Sequence, residues 1–270
     1  AGGALLMQRL ALLFCLVPAL ALAGPPERVV SINLCTDQLA MLLADPGQLV
    51  SVTSVARDPV ASALAARATD YPANNGQAEA VLGFAPDLVL AGEWTAPATL
   101  AMLRRLGVRV ETFPLENDFA DIRANLTRMG DLLGVPDRAA GLIAAMDATL
   151  AGPAPAGPRP GAILYYANGY TSGGGTLADA VLKAAGLRNL AAEQGLVGLA
   201  PLPLERLVLD PPDLLILGQS YPSPALAQRL LDHPALRRLG AERAQVADNL
   251  WTCGTPLAAQ AVAELRAEGR

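Results

Sequence analysis

The sequence is poor in the residues that usually carry chemistry. Of its 270 residues only one is histidine, His233, which excludes a histidine-rich metal site and a bare zinc or manganese cargo. Three cysteines are too few and too scattered for the paired clusters of a structural zinc site. Charged residues make up 17%, 20 basic against 25 acidic, with no Lys/Arg run, so nucleic acid is not an expected partner. Aromatics are scarce at 4%, which makes the places where they gather informative. The glycine-rich "TSGGGT" at 171–176 lacks the lysine of a P-loop and the spacing of a dinucleotide fingerprint. Its glycines let backbone approach a ligand or the opposing lobe, and Thr176 stands where a helix cap belongs.

What is abundant is apolar: 52% of the chain is hydrophobic, enough for a well-filled core in one large domain or two modest ones. The first residues read as a leader. Met7-Gln8-Arg9 is a short basic region, Leu10 to Leu22 an apolar stretch, and Ala21-Leu22-Ala23 a small-residue cleavage site. The six residues before Met7 read as an upstream extension, and Cys15 after Phe14 is a poor lipobox. Export from the cytoplasm with cleavage after Ala23 is expected; loss of Arg9 then takes the net charge from −5 to −6. No second apolar run of spanning length follows. The mature chain keeps Cys35 and Cys253, which an oxidising compartment would join or leave as two free thiols at the ligand site.

The chain repeats itself. Residues 79–92 read "EAVLGFAPDLVLAG" and residues 205–218 read "ERLVLDPPDLLILG", each with Glu first, Pro-Asp-Leu at places eight to ten and Gly last. "LRRLG" occurs at 103–107 and, letter for letter, at 236–240. An apolar strand opens each copy, "RVVSI" at 28–32 and "GAILYY" at 161–166, and a helical pattern follows. Further runs such as "DLVLA", "VRVETF" and "AQVA" lack polar alternation, which suits parallel strands covered on both faces.

The fold expected is therefore α/β, with two pseudo-symmetric lobes at 24–117 and 152–270, each a small, mostly parallel sheet flanked by helices. A helical connector at 118–151 joins them through one long bridging helix. In it, Ile122, Leu126, Met129 and Leu133 recur at helical spacing up to Gly134, and Pro136 restarts the pattern. Ligands of such sheets bind beyond the carboxyl ends of the strands.

In their order, "ERVVSINLCTDQLAMLLA", "PDLVLAG", "LRRLGVRV" and "ANLTRMGDLLGV" resemble the helix-linked periplasmic solute-binding proteins of ABC importers for iron–siderophore complexes, haem and vitamin B12. The resemblance runs from about Glu27 to Leu265. It implies a binding protein with no cofactor, expected as a monomer, which captures an iron complex (siderophore or haem) or alternatively a cobalamin and hands it to a permease dimer. It also implies that Glu79 and Glu205 face that permease, although a first-turn glutamate also suits a helix dipole.

Strand-end loops supply the candidate ligand contacts: Asn33, Cys35, Arg57, Trp94, Tyr166, Tyr170, Tyr221 and Trp251. Five of the eight are aromatic, as walls for a flat ligand would be. Tyr166 or Tyr170 suits a haem iron. Arg57 suits an anionic ligand group, or a plain pair with Asp58. The rival reading, a bilobal α/β enzyme, needs an acid/base constellation. Ser172 outside G-x-S-x-G and His233 ahead of Pro234 do not form one.

Overall fold

The computed structural model describes residues 24–153, 157–218 and 226–268; the leader and Tyr221 lie outside them. Strands β1 (Val29–Ser31), β2 (Leu49–Thr53), β3 (Ala73–Asn74), β4 (Leu88–Gly92) and β5 (Arg109–Phe113) form a parallel sheet in the order β3-β2-β1-β4-β5. After the connector come β6 (Gly161–Tyr165), β7 (Tyr170–Ser172), β8 (Arg188–Asn189), β9 (Leu199–Pro201), β10 (Leu214–Leu217) and β11 (Glu242–Ala244). Of these, β11-β10-β6-β8 is again parallel, and β7-β9 is a separate antiparallel ribbon. The strand from "AQVA" thus ends at Ala244, earlier than its apolar letters suggest.

The two sheets carry the sequence repeat in matching places. β1 corresponds to β6, β4 to β10 and β5 to β11, and each "LRRLG" closes the helix entering the last of these strands. Alternate residues of β1 and β4 divide between two cores. Val29, Leu88 and Leu90 join the core that runs through the connector, while Val30, Val89 and Ala91 face the helices Ala78–Leu82 and Pro97–Arg105. The second sheet divides likewise: Ala162, Leu164 and Ile216 face the shared core, and Ile163, Tyr165 and Leu215 the opposite one. Coverage on both faces is why β4 and β6 are buried at every position.

Where one long helix was expected to join the lobes, the chain runs through two, Phe119–Leu133 and Pro136–Leu150. Gly134 ends the first in the left-handed region (φ 77°), where a residue with a Cβ is strained, and Pro136 starts the second. The two legs lie antiparallel, since Arg123 pairs with Asp147 at 2.5 Å and a Cβ on Gly130 would meet Ala139. Arg138 ties the second leg to Asp45 of the first lobe at 2.7 Å, while Arg266 of the last helix (Ala258–Glu268) donates to the carbonyls of Thr149 and Leu150. Among the described residues no helix is long and apolar enough to cross a membrane.

Candidate inter-lobe binding site

The repeated motif positions the site. Its Pro-Asp places a carboxylate at the entry of the neighbouring strand: Asp87 accepts from the backbone N–H of Glu27 (2.7 Å) and Arg28 (3.0 Å), and Asp213 from Gly161 (2.6 Å). Its closing glycine clears space at the strand's far end. A Cβ on Gly92 would fall 2.6 Å from Asn33 Nδ2, and one on Gly218 would fall 2.9 Å from Tyr166 Cδ1. In each lobe, then, a residue just past the first strand, Asn33 or Tyr166, packs over this glycine and borders the space between the lobes.

Both lobes border that space. A cavity of about 560 Å³ is lined from the first lobe's side by Leu115, Glu116 and Asn117, and from the second by Tyr166, Tyr170, Ser172, Asp248 and Trp251 among others. A smaller recess of about 40 Å³ continues past Glu116 to Asn33, Cys35, Glu93 and Trp94. Tyr166 is half-buried and its hydroxyl accepts from Ser172 Oγ at 3.3 Å. Burial raises the pKa of that hydroxyl and the Asp248 charge adds to the rise, against hydrogen bonds with Ser172 and Trp251. Trp251 is 7% exposed, whereas Tyr170 (39%) and Trp94 (82%) stand out at the rim.

The structure thus gathers Asn33, Cys35, Trp94, Tyr166, Tyr170 and Trp251 around one cleft, and Cys35 is bonded there to Cys253. Asn33 also caps its helix (Leu34–Leu43) through Oδ1. Arg57 stands apart: it lines neither cavity, and its guanidinium donates to the carbonyls of Ala68 and Tyr71 rather than pairing with Asp58. Gly173 and Gly174 bring backbone close to Leu196 of their own lobe, not to the opposing one, while Thr176 caps Leu177–Ala184. His233 caps Pro234–Arg238, accepting from Ala235 N–H through Nδ1 at 3.2 Å.

Glu116 escapes a search for aromatics. Only 5% exposed, it accepts from Asn125 Nδ2 at 2.5 Å, and burial raises its carboxyl pKa. A Cβ on Gly254 would fall 2.3 Å from Glu116 Cγ, so the two lobes meet at this side chain. The strand-end rule, applied to "VRVETF", reaches it three residues on. A wider groove of about 730 Å³, beside Gly24, Pro25 and Arg128, lies on the connector's flank, away from the strand ends.

A family described as "Periplasmic binding protein" matches residues 29–245. The chain belongs to this family. A cobalamin-binding protein of Halobacterium salinarum is 32% identical over 209 residues, 75% of this chain. The match takes in 56% of that relative, so the chain spans little more than half the length of the curated protein it resembles. Among solved structures, a periplasmic heme-binding protein from Pseudomonas aeruginosa shares 27% identity at a TM-score of 0.73, over 90% of this chain and 92% of that one. The vitamin B12-binding protein BtuF of Vibrio cholerae shares 18% at 0.66, over 90% and 96%, and so shows the fold alone. The family and these relatives are binding proteins rather than enzymes.

Proposed function

We propose that this periplasmic binding protein is the substrate-binding component of an ABC importer and carries a cobalamin-type corrinoid, ahead of haem or a ferric siderophore. The charge of the cleft carries this reading. Glu93, Glu116 and Asp248 line it with Tyr166, Tyr170 and Trp251, and no Lys, Arg or His does so among the described residues. Haem brings two propionates, and many ferric siderophores are anions; carboxylates without a cation disfavour both. A corrin ring fringed with amides offers N–H donors to carboxylates and an apolar face to aromatic side chains. The similarity to a cobalamin-binding protein points the same way.

The haem reading draws on the heme-binding structure at 27% identity and on Tyr170 at the rim. At the other candidate, Tyr166, burial first and the Asp248 charge second raise the hydroxyl pKa, which disfavours tyrosinate ligation. Export with the leader cleaved after Ala23 fits a chain whose cysteines are bonded. Glu79 and Glu205, exposed in matching first turns, fit two contacts with a two-fold permease.

Tryptophan quenching of residues 24–270 with cyanocobalamin and with haemin tests the ligand. Saturable cobalamin binding, at least tenfold tighter than haemin, is expected. The reverse order overturns the corrinoid reading, and binding of neither overturns the chelate class.

A further inference from the structure

Each repeated glutamate has a neighbour that packing leaves unexplained. The helix Ala78–Leu82, which bears Glu79, and the helix Pro97–Arg105 cover the same sheet face, burying Ala78, Val81, Leu100 and Leu103 together. In the second lobe Leu204–Leu209, which bears Glu205, and Pro234–Arg238 do the same with Leu207 and Leu236. The first leucine of each "LRRLG" is thus core: Leu103 and Leu236 are both fully buried. The arginines that follow, Arg104 and Arg105 in one copy and Arg237 and Arg238 in the other, are exposed in both. Among the described residues none of the four forms an ion pair, although Arg104 Nη2 donates to Thr112 Oγ1 at 3.4 Å.

Core packing accounts for the repeated leucine, and a left-handed turn accounts for Gly107 (φ 81°). A helix dipole favours a cation in the last turn, but lysine serves it equally and one charge suffices. Two adjacent exposed arginines, kept in both copies of a net-acidic chain, ask for a second cause. The helices that carry them lie beside the glutamate-bearing helices, on the sheet face opposite the connector. Exposed apolar surface lies beside them, Met102 and Leu106 in one lobe and Val208 and Leu209 in the other.

We infer that each lobe docks through a bipolar patch, Glu79 with Arg104 and Arg105, and Glu205 with Arg237 and Arg238. The partner it fits is a two-fold membrane permease presenting both a cation and a carboxylate at each of its two contact points. A bipolar patch also rejects a partner shifted or reversed, because like charges would then meet. The inference rests on the importer reading above.

The test is docking of the full mature chain to the permease–ATPase complex for which it restores corrinoid uptake, held in lipid nanodiscs at low and high salt. Changing all four arginines to Gln is expected to weaken docking at least tenfold at low salt, with melting temperature and cobalamin affinity unchanged. The four Arg→Lys changes, which keep the dipole charge, should fall between. If the Gln variant docks normally while Glu79→Ala with Glu205→Ala does not, the arginine inference fails and the importer reading stands. If neither set affects docking, the docking assignment fails and takes the inference with it. Should the fourfold variant not fold, the Arg104/Arg105 and Arg237/Arg238 pairs are changed separately and read in the same way.

Discussion

Cys35 and Cys253 stand 218 positions apart in the chain and are joined by a disulfide, with their α-carbons 5.0 Å apart. Cys35 lies in the first turn of the helix after β1, in the first lobe, and Cys253 follows the turn Asn249–Thr252 in the second. The lobes are therefore held twice, by the helical connector and by a covalent strap at the cleft. Asn249 Nδ2 donates to the Pro59 carbonyl across the same gap at 2.8 Å, and Glu116 packs on Gly254 beside the strap.

A bond closing so long a loop removes chain entropy from the unfolded state worth about 5 kcal/mol in the simplest treatment, and measured effects are more often about 2–4. Cys35→Ser with Cys253→Ser should lower the melting temperature by about 5–10 °C. Reductant should bring the wild type to the same value. Two alkyl groups added to unreduced protein, seen by mass spectrometry, would remove the bond from the account.

The repeated Asp gives the second prediction. Asp87 and Asp213 each hold the entry of a neighbouring strand by charge-assisted bonds to backbone N–H. Such bonds contribute about 1.5–3 kcal/mol. Asp213→Ala should cost that much in urea unfolding, and Asp87→Ala less, since its bonds are exposed to solvent. Ligand affinity should hardly change in either variant; a selective loss of affinity without loss of stability would contradict a purely structural role.

Much of this was legible beforehand, for a physical reason in each case. Strands buried on both faces write themselves as unbroken apolar runs, so β4, β6 and β10 were plain, and the duplication fixed which strand matched which. The break at Gly134–Pro136 was visible in the letters, but whether the chain bends there or folds back is decided by packing between Gly130 and Ala139, which no local pattern records. Arg57 looked like a ligand contact because it follows a strand. Its nearest acceptors, the carbonyls of Ala68 and Tyr71, come from a segment with no periodic signal. Glu116 lay within reach of the strand-end rule, but its burial depends on Gly254, far away in sequence.

Gly218 gives a third prediction, at the site itself. A methyl group there would lie 2.9 Å from Tyr166 Cδ1 and 3.4 Å from Asp248 Oδ2, so the ring must move. Gly218→Ala should therefore weaken binding of the corrinoid at least fivefold, with near-normal stability. In the first lobe, Gly92→Ala pushes on Asn33, a helix cap, and should cost stability as well. Isothermal titration and thermal unfolding of the two variants separate these effects. Equal behaviour of the pair would mean that Tyr166 does not contact ligand.

The last prediction comes from a difference between the copies. Asp37 and Asp179 occupy matching helices, and each is bonded to the strand that follows its helix: Thr53 N–H and Oγ1 donate to Asp37, and Asn189 Nδ2 donates to Asp179. Asp179 has further partners in Lys183 Nζ at 2.7 Å and the Gly175 N–H at 3.4 Å. Asp37 has no such cation, and its Oδ1 is buried without a hydrogen-bond partner among the described residues. Burial accordingly raises its pKa from 3.8 to about 7, against the bonds from Ser31 and Thr53. The folded chain thus keeps a proton that the unfolded chain releases near pH 4. Folded stability must fall as pH rises from about 4 to 7, by up to the order of 4 kcal/mol, and the full penalty persists above. Asp37→Asn removes the charge but adds a buried amide whose donors lack partners, a cost of about 1–3 kcal/mol. The variant should therefore be more stable than wild type at pH 8 by about 1–3 kcal/mol and less stable at pH 4, with the two curves crossing between. Urea unfolding at pH 4, 6 and 8 checks this, and parallel curves would show that Asp37 does not carry the proton.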